Sequence, residues 1–311
     1  MASGFPLFGQ ISNAAAIDNQ FLSELKNRKL ILMIQDEEEF YDIKNTKPGV
    51  SFTDYKNTVD LINNNLKTVV DSLWPYHDEF LMLNYKELQK IAKADMEKYA
   101  VIYFIRYEEE GGGNYKKHLH YFNIGCLPDG NTYDMKNIST TENYSGMKLA
   151  FLENFRDPDN IFIPMSHLIP QQSDIAFGLS YVIWFLHMRS IDKTEKQMRD
   201  TLARNSTQIT EITLLVSRAD IENKNFIDLS FTEYPFEYKV VEQQELDSLI
   251  LSRSEGFGYL NYNLQKACVV KTVNGEPLYV PTIYYTGSGP KSVIKMVADV
   301  MAEIEPALND R

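Results

Sequence analysis

Phe80-Leu81-Met82-Leu83, then Glu87-Leu88, then Tyr99-Ala100-Val101-Ile102, is a stretch that returns later in the chain as Tyr238-Lys239-Val240-Val241, Glu245-Leu246 and Phe257-Gly258-Tyr259-Leu260. A proline and an aromatic precede both, Pro75-Tyr76 and Pro235-Phe236. From the helix onward the spacing is constant, because Leu88 to Leu246 and Tyr99 to Phe257 are each 158 positions. Four-residue apolar runs on either side of a short helical segment read as strand, helix, strand. The repetition predicts an internal duplication, one sheet-and-helix unit used twice. Leu32 to Leu88 spans 56 positions and Leu214 to Leu246 spans 32, so the first copy carries 24 more residues. That is about the size of a helix inserted at 54–73. Two copies make tandem domains and not a solenoid, which needs more.

Outward from this stretch, the first half opens with an amphipathic helix around Ile17 to Leu25 and a strand Leu30 to Ile34. Between Asp54 and Leu73, the residues Val59, Ile62, Leu66, Val69, Val70 and Leu73 recur at three- and four-residue spacing, one face of a helix. A strand Phe80 to Leu83, a helix Tyr85 to Ala94 and a strand Tyr99 to Tyr107 follow. The loop Glu108 to Tyr115, with three glycines, leads to a partner strand Lys117 to Ile124, and Pro128-Asp129-Gly130-Asn131 makes a further turn. The second half repeats the course: helix Glu195 to Arg204, strands Ile212 to Val216 and Phe236 to Val241, helix Gln243 to Leu251, strand Gly258 to Tyr262. Asn274-Gly275 then marks a hairpin between Lys266–Val273 and Leu278–Tyr285. A helix from Lys291 to Ile304 ends the chain.

Helices between the early strands and hairpins at the end predict an α/β (α+β) fold. Each of two tandem related domains has a mixed sheet with an antiparallel hairpin end, packed by helices. The first domain is assigned residues 11–190 and includes the apolar helix 175–186; the second, shorter copy is 191–311. This order of elements resembles the N-terminal domain of TolB-type and curli-secretion envelope proteins. It resembles thioredoxin-like units more loosely, since the C-x-x-C motif is missing. No functional residue is carried over from either resemblance.

Composition narrows the function classes. Hydrophobic residues at 44% and charged residues at 24% describe an ordinary soluble globular protein. At 311 residues the chain exceeds what one core usually serves, which suits two domains. A formal net charge of −12 disfavours nucleic acid and anionic lipid surfaces as partners. Cys126 and Cys268 are too few for a disulfide framework and lack metal-knuckle spacing. The most apolar window, Ile175 to Met188, falls short of the roughly 20 residues a membrane span needs. Phe5 to Gln10 is largely apolar. Read as the remnant of an export sequence it implies a periplasmic or secreted protein, and otherwise a cytoplasmic one.

Three features hold candidate chemistry. His118 and His120, two apart on a strand, point to one face and could share a metal ion, with Glu108, Glu109 and Glu110 across the hairpin. The glutamates sit beside a glycine-rich loop, so a solvated strand next to a charged loop is the preferred reading. Gly287, Ser288, Gly289 and Ser292, between a strand and a helix, could cradle a phosphate. The spacing is not that of a P-loop, and Pro290 suits any first helical turn. Trp184 and Tyr181 on the apolar helix are candidates for an interface, tyrosine and tryptophan being favoured there. His77, His167 and His187 read as isolated.

The expectation is a non-enzymatic binding or structural protein without a cofactor, of the cell envelope or secreted, whose partner is a protein. The alternative is a hydrolase-type enzyme using the His118/His120 strand or the Gly287–Ser292 loop. The expected outcome of zinc calorimetry is weak binding, since no third ligand is held rigidly beside the two histidines. Submicromolar affinity abolished by His120→Ala would reverse the preference for a non-enzyme.

Overall fold

The computed structural model describes residues 19–35, 51–110, 116–127, 143–144, 147–148, 160–165, 167, 169–219, 236–262 and 267–279. The expected turn at Pro128–Asn131, the loop Gly287–Ser292 and the helix Lys291–Ile304 lie outside these residues. The chain divides into two compact units, residues 1–178 and 179–311.

The first unit contains α1 (Asn19–Asn27), β1 (Lys29–Ile34), α2 (Phe52–Leu73), β2 (Phe80–Asn84), α3 (Tyr85–Leu88), a 3-10 turn (Lys93–Lys98), β3 (Tyr99–Glu110) and β4 (Lys116–Cys126). The short strands β5 (Asn143–Tyr144) and β6 (Met147–Lys148) pair with each other, and β7 (Asn160–Pro164) completes the main sheet. Its order is β2-β1-β3-β4-β7. β1 runs parallel to β2 and β3, whereas β3, β4 and β7 are antiparallel in turn. Leu30, Ile31, Leu32 and Met33 are all fully buried. A strand with parallel neighbours is covered on both faces, which explains a continuous apolar run in place of alternation.

Strand parity assigns the two faces. Leu30, Leu32, Ala100, Ile102, Phe104 and Phe122 share one, and Ile31, Met33, Val101, Tyr103 and Asn123 share the other. The second face meets Leu88 of α3 and Met96 of the 3-10 turn in one buried cluster. The first face receives α4 (Gln172–Ser190) where Gly178 lies against the Phe122 ring; an added Cβ would sit 2.8 Å from it. α2 begins with a capping box, Ser51 and Asp54 each accepting from the other's backbone N–H. Those bonds from Ser51 hold the exposed Asp54 carboxyl below its ordinary range.

The expected helix Tyr85 to Ala94 is broken in two. Its start is set by a capping box between Asn84 and Glu87. After Leu88 the backbone tightens through Lys90 N–H to Glu87 and Ile91 N–H to Leu88, both three residues back. The 3-10 turn that follows brings Met96 into the same core as Leu88, so packing ends the helix early.

The second unit takes in the later part of α4, then α5 (Glu195–Asn205), a second 3-10 turn (Ser206–Glu211), β8 (Thr213–Ser217), β9 (Tyr238–Val241), α6 (Gln243–Leu251), β10 (Phe257–Tyr262), β11 (Ala267–Lys271) and β12 (Pro277–Tyr279). Its sheet reads β9-β8-β10-β11-β12. β8 is parallel to β9 and β10, and β10, β11 and β12 are antiparallel in turn. Order and direction match the first sheet strand for strand. Register matches too: Leu30 lies beside Phe80 as Leu214 lies beside Tyr238, and Lys29 beside Tyr99 as Thr213 beside Phe257. Ala100 pairs with Cys126 as Gly258 pairs with Lys271. Position 30, and not 32, therefore corresponds to Leu214. The extra length before β2 is 26 residues, since Leu30 to Phe80 is 50 positions and Leu214 to Tyr238 is 24.

The hairpin at Asn274-Gly275 forms, but not as a two-residue turn between long strands. Lys271 accepts from Gly275 N–H and donates to the Glu276 carbonyl, so Thr272 to Gly275 make a four-residue loop. Only Gly275 takes positive φ, +69°, whereas a type I′ turn needs it at both central residues. A Cβ at Gly275 would stand 2.1 Å from Ser180 Cβ on α4. Gly275→Ala is therefore expected to lower unfolding stability by roughly 2–4 kcal/mol, left-handed strain plus overpacking, as read by chemical denaturation.

Candidate functional site at the carboxyl edge of the first sheet

The strand order 2-1-3 sends the chain from β1 outward to β2 and then back across to β3. The connections diverge at the carboxyl ends of β1 and β3, the place where open α/β sheets bind ligands. Gln35 follows β1 directly. Its backbone N–H donates to Asn63 Oδ1 at 2.8 Å, and its carbonyl accepts from Asn63 Nδ2 at 3.0 Å. Asn63 thus completes β1 with a peptide-like pair of bonds from the side of α2.

Two residues further along α2, about 3 Å on the helix axis, stands the buried Asn65. Its Nδ2 donates to the Pro170 carbonyl at 3.0 Å and its Oδ1 accepts from Gln172 Nε2 at 3.2 Å. At the same helix start Asp174, 1% exposed, accepts the Gln171 N–H at 3.0 Å. His167 Nδ1 lies 2.8 Å from Asp174 Oδ2 as well. A carboxylate there favours the proton on Nδ1 in a neutral ring and leaves Nε2 as the accepting nitrogen, the arrangement of an oriented general base. The pair was missed in sequence, where His167 reads as isolated; the only signal was an acid in the first turn of a helix seven residues on.

The β3–β4 hairpin runs past the end of β1 on this edge, because β1 pairs with β3 only as far as Leu32. His118 stands opposite Glu108 and His120 opposite Arg106 in that extension, with Glu109 opposite Lys117. The residues opposite these histidines in register are thus one acid and one arginine. Their side chains, like Gly287, Ser288, Gly289 and Ser292, lie outside the described residues.

The remaining candidates are placed as follows. His77 Nδ1 accepts from Trp74 Nε1 at 3.1 Å and stacks on that indole. His187 is exposed near the end of α4. Tyr181 and Trp184 are 1% and 6% exposed, with ring centroids 5.7 Å apart. Burial, with a smaller electrostatic contribution from Cys268, raises the Tyr181 phenol well above its ordinary value. Cys126 and Cys268 are both buried and not joined in a disulfide. Among the described residues no helix is long and apolar enough to cross a membrane.

Compared with protein-family models, curated proteins and solved structures, the chain finds no match in any of the three.

Asn65 joins α2 to the segment before α4 through both ends of its amide. Asn65→Ala is expected to cost about 1–3 kcal/mol in chemical denaturation, the penalty for a buried carbonyl left without its donor. Asn65→Asp should cost more, since the Pro170 carbonyl would then face a carboxylate.

Proposed function

We propose that this chain is a non-enzymatic binding or structural protein made of two copies of one α/β unit, whose partner is a protein. The duplication is supported by the matching order, direction and register of the two sheets and by the 158-position spacing. Asn84 and Glu242, the residues that begin α3 and α6, stand at that same spacing.

The observation that carries the non-enzymatic reading is where the convergent polar groups of the first unit spend their hydrogen bonds. Asn63 serves the Gln35 backbone, Asn65 serves the Pro170 carbonyl, and Asp174 serves the Gln171 N–H. Groups committed to backbone hold a scaffold. The enzyme reading draws on the His167–Asp174 pair and, as separate alternatives, on the His118/His120 strand as a metal site or the Gly287–Ser292 loop as a phosphate site. Trp184 and Tyr181 enter as contributors to an interface only through the helix they anchor. An envelope or secreted location follows from the export reading of Phe5 to Gln10.

The two readings separate in one pair of measurements. Affinity purification of the full chain with mass spectrometry should recover a stoichiometric protein partner. Assays on generic phosphate-ester and carboxyl-ester substrates should give rates that His167→Ala and His120→Ala leave unchanged. Turnover lost in either variant, with folding intact by circular dichroism, would establish the enzyme reading.

A further inference from the structure

We infer that the carboxyl end of the second sheet holds a site for a ligand carboxylate, built from the Ser217 hydroxyl, the Arg218 guanidinium and the first turn of α6. Ser217 is the last residue of β8, the strand with a parallel neighbour on both sides. It stands where the connections towards β9 and β10 diverge, the position at which open α/β sheets bind ligands. The residue is 1% exposed, and its Oγ has no hydrogen-bond partner among the described residues. A buried hydroxyl in that state costs stability until something pairs with it.

Strand parity aims this hydroxyl under α6. Ser217 pairs with Val241 and Leu215 with Lys239, so Ser217 and Lys239 lie on one face. Lys239 Nζ donates to Glu245 of α6 at 2.7 Å, which identifies the face as the one α6 covers. α6 begins at Gln243, two residues after Val241, and Glu242 at its N-cap makes no side-chain cap bond. Backbone N–H groups in the first turn of a helix favour an oxyanion. The first sheet has neither feature: Met33 holds the position of Ser217, and the Asn84–Glu87 capping box closes α3.

Arg218 and Glu242 follow the Ser217–Val241 pair on the two strands and close over it, Arg218 Nε donating to Glu242 Oε1 at 2.6 Å. Their side chains are 51% and 68% exposed, so this pair is weak and exchanges readily. A ligand carboxylate takes the place of Glu242 on Arg218 and gains the Ser217 O–H and the helix start as further donors, while Glu242 turns out to solvent. Charge sets the class of ligand. Described charged groups at this strand end and on the first turns of α6 are Arg218 and Lys239 against Glu242, Glu245 and Asp247, a surplus of one negative charge. A phosphate dianion feels that surplus twice as strongly as a singly charged carboxylate, so the site selects the carboxylate.

Nitrogen–proton NMR titration of the full chain with sodium acetate, and with inorganic phosphate at equal ionic strength, tests this. The Gln244 and Glu245 amides should shift saturably with acetate at a Kd of about 1–10 mM, and phosphate should bind more weakly. Ser217→Ala removes a hydroxyl that folding leaves unpaired, so the melting temperature should hold or rise while acetate binding weakens roughly fivefold. Arg218→Gln should weaken binding by a similar factor, and Glu242→Gln, which removes the competing carboxylate, should tighten it. Absence of saturable shifts at these amides up to about 50 mM acetate overturns the proposal, as does phosphate binding tighter than acetate. So does an acetate affinity that Ser217→Ala or Glu242→Gln leaves unchanged.

Discussion

Each sheet depends on one central strand, β1 or β8, that has a parallel neighbour on both sides. Parallel neighbours cannot be joined by a tight turn, so the chain must leave the sheet and return by a crossover. In the first unit α2 makes one crossover, and α3 with its 3-10 turn makes the other. These segments cover the two faces of β1, which is why Leu30 to Met33 are buried without alternation. The same demand puts β2 at the edge among the described residues and opens the carboxyl ends of β1 and β3, so the candidate site descends from it.

Polar side chains in the first unit are placed where regular structure ends. Asn63 extends β1 by one more pair of hydrogen bonds, and at the start of α4 Asn65 donates to the Pro170 carbonyl while Asp174 accepts the Gln171 N–H. Asn123 is the contrast. It is fully buried on β4 opposite Tyr103, and neither amide atom has a hydrogen-bond partner among the described residues. Such a group costs on the order of 1–3 kcal/mol. The corresponding register position of the second sheet is Cys268, which is smaller and tolerates an apolar setting.

The two units keep one topology and differ in what they place on it. Met33, Tyr103 and Asn123 on one face of the first sheet have Ser217, Asn261 and Cys268 at the matching register positions of the second. Leu81 and Lys239 differ in the same way at the edge. The two sheets thus share an order of strands and differ in polarity at these positions.

Periodicity was sufficient for the mixed α/β class, the apolar helix around Ile175 to Leu186 and the helix ending at Leu73, because a buried face imposes its spacing on sequence over many turns. The constant spacing of 158 is also the spacing of Phe80 to Tyr238 and Tyr99 to Phe257, which hold matching register positions in the two sheets. The early end of α3, the four-residue loop at Thr272 to Gly275 and the pairing of His167 with Asp174 were decided by tertiary structure. A helix ends where the core needs the next residue, a turn takes the length that its strands' register leaves, and a lone histidine gains a partner only when two segments meet. None of these has a period, so none is written in the order of residues alone.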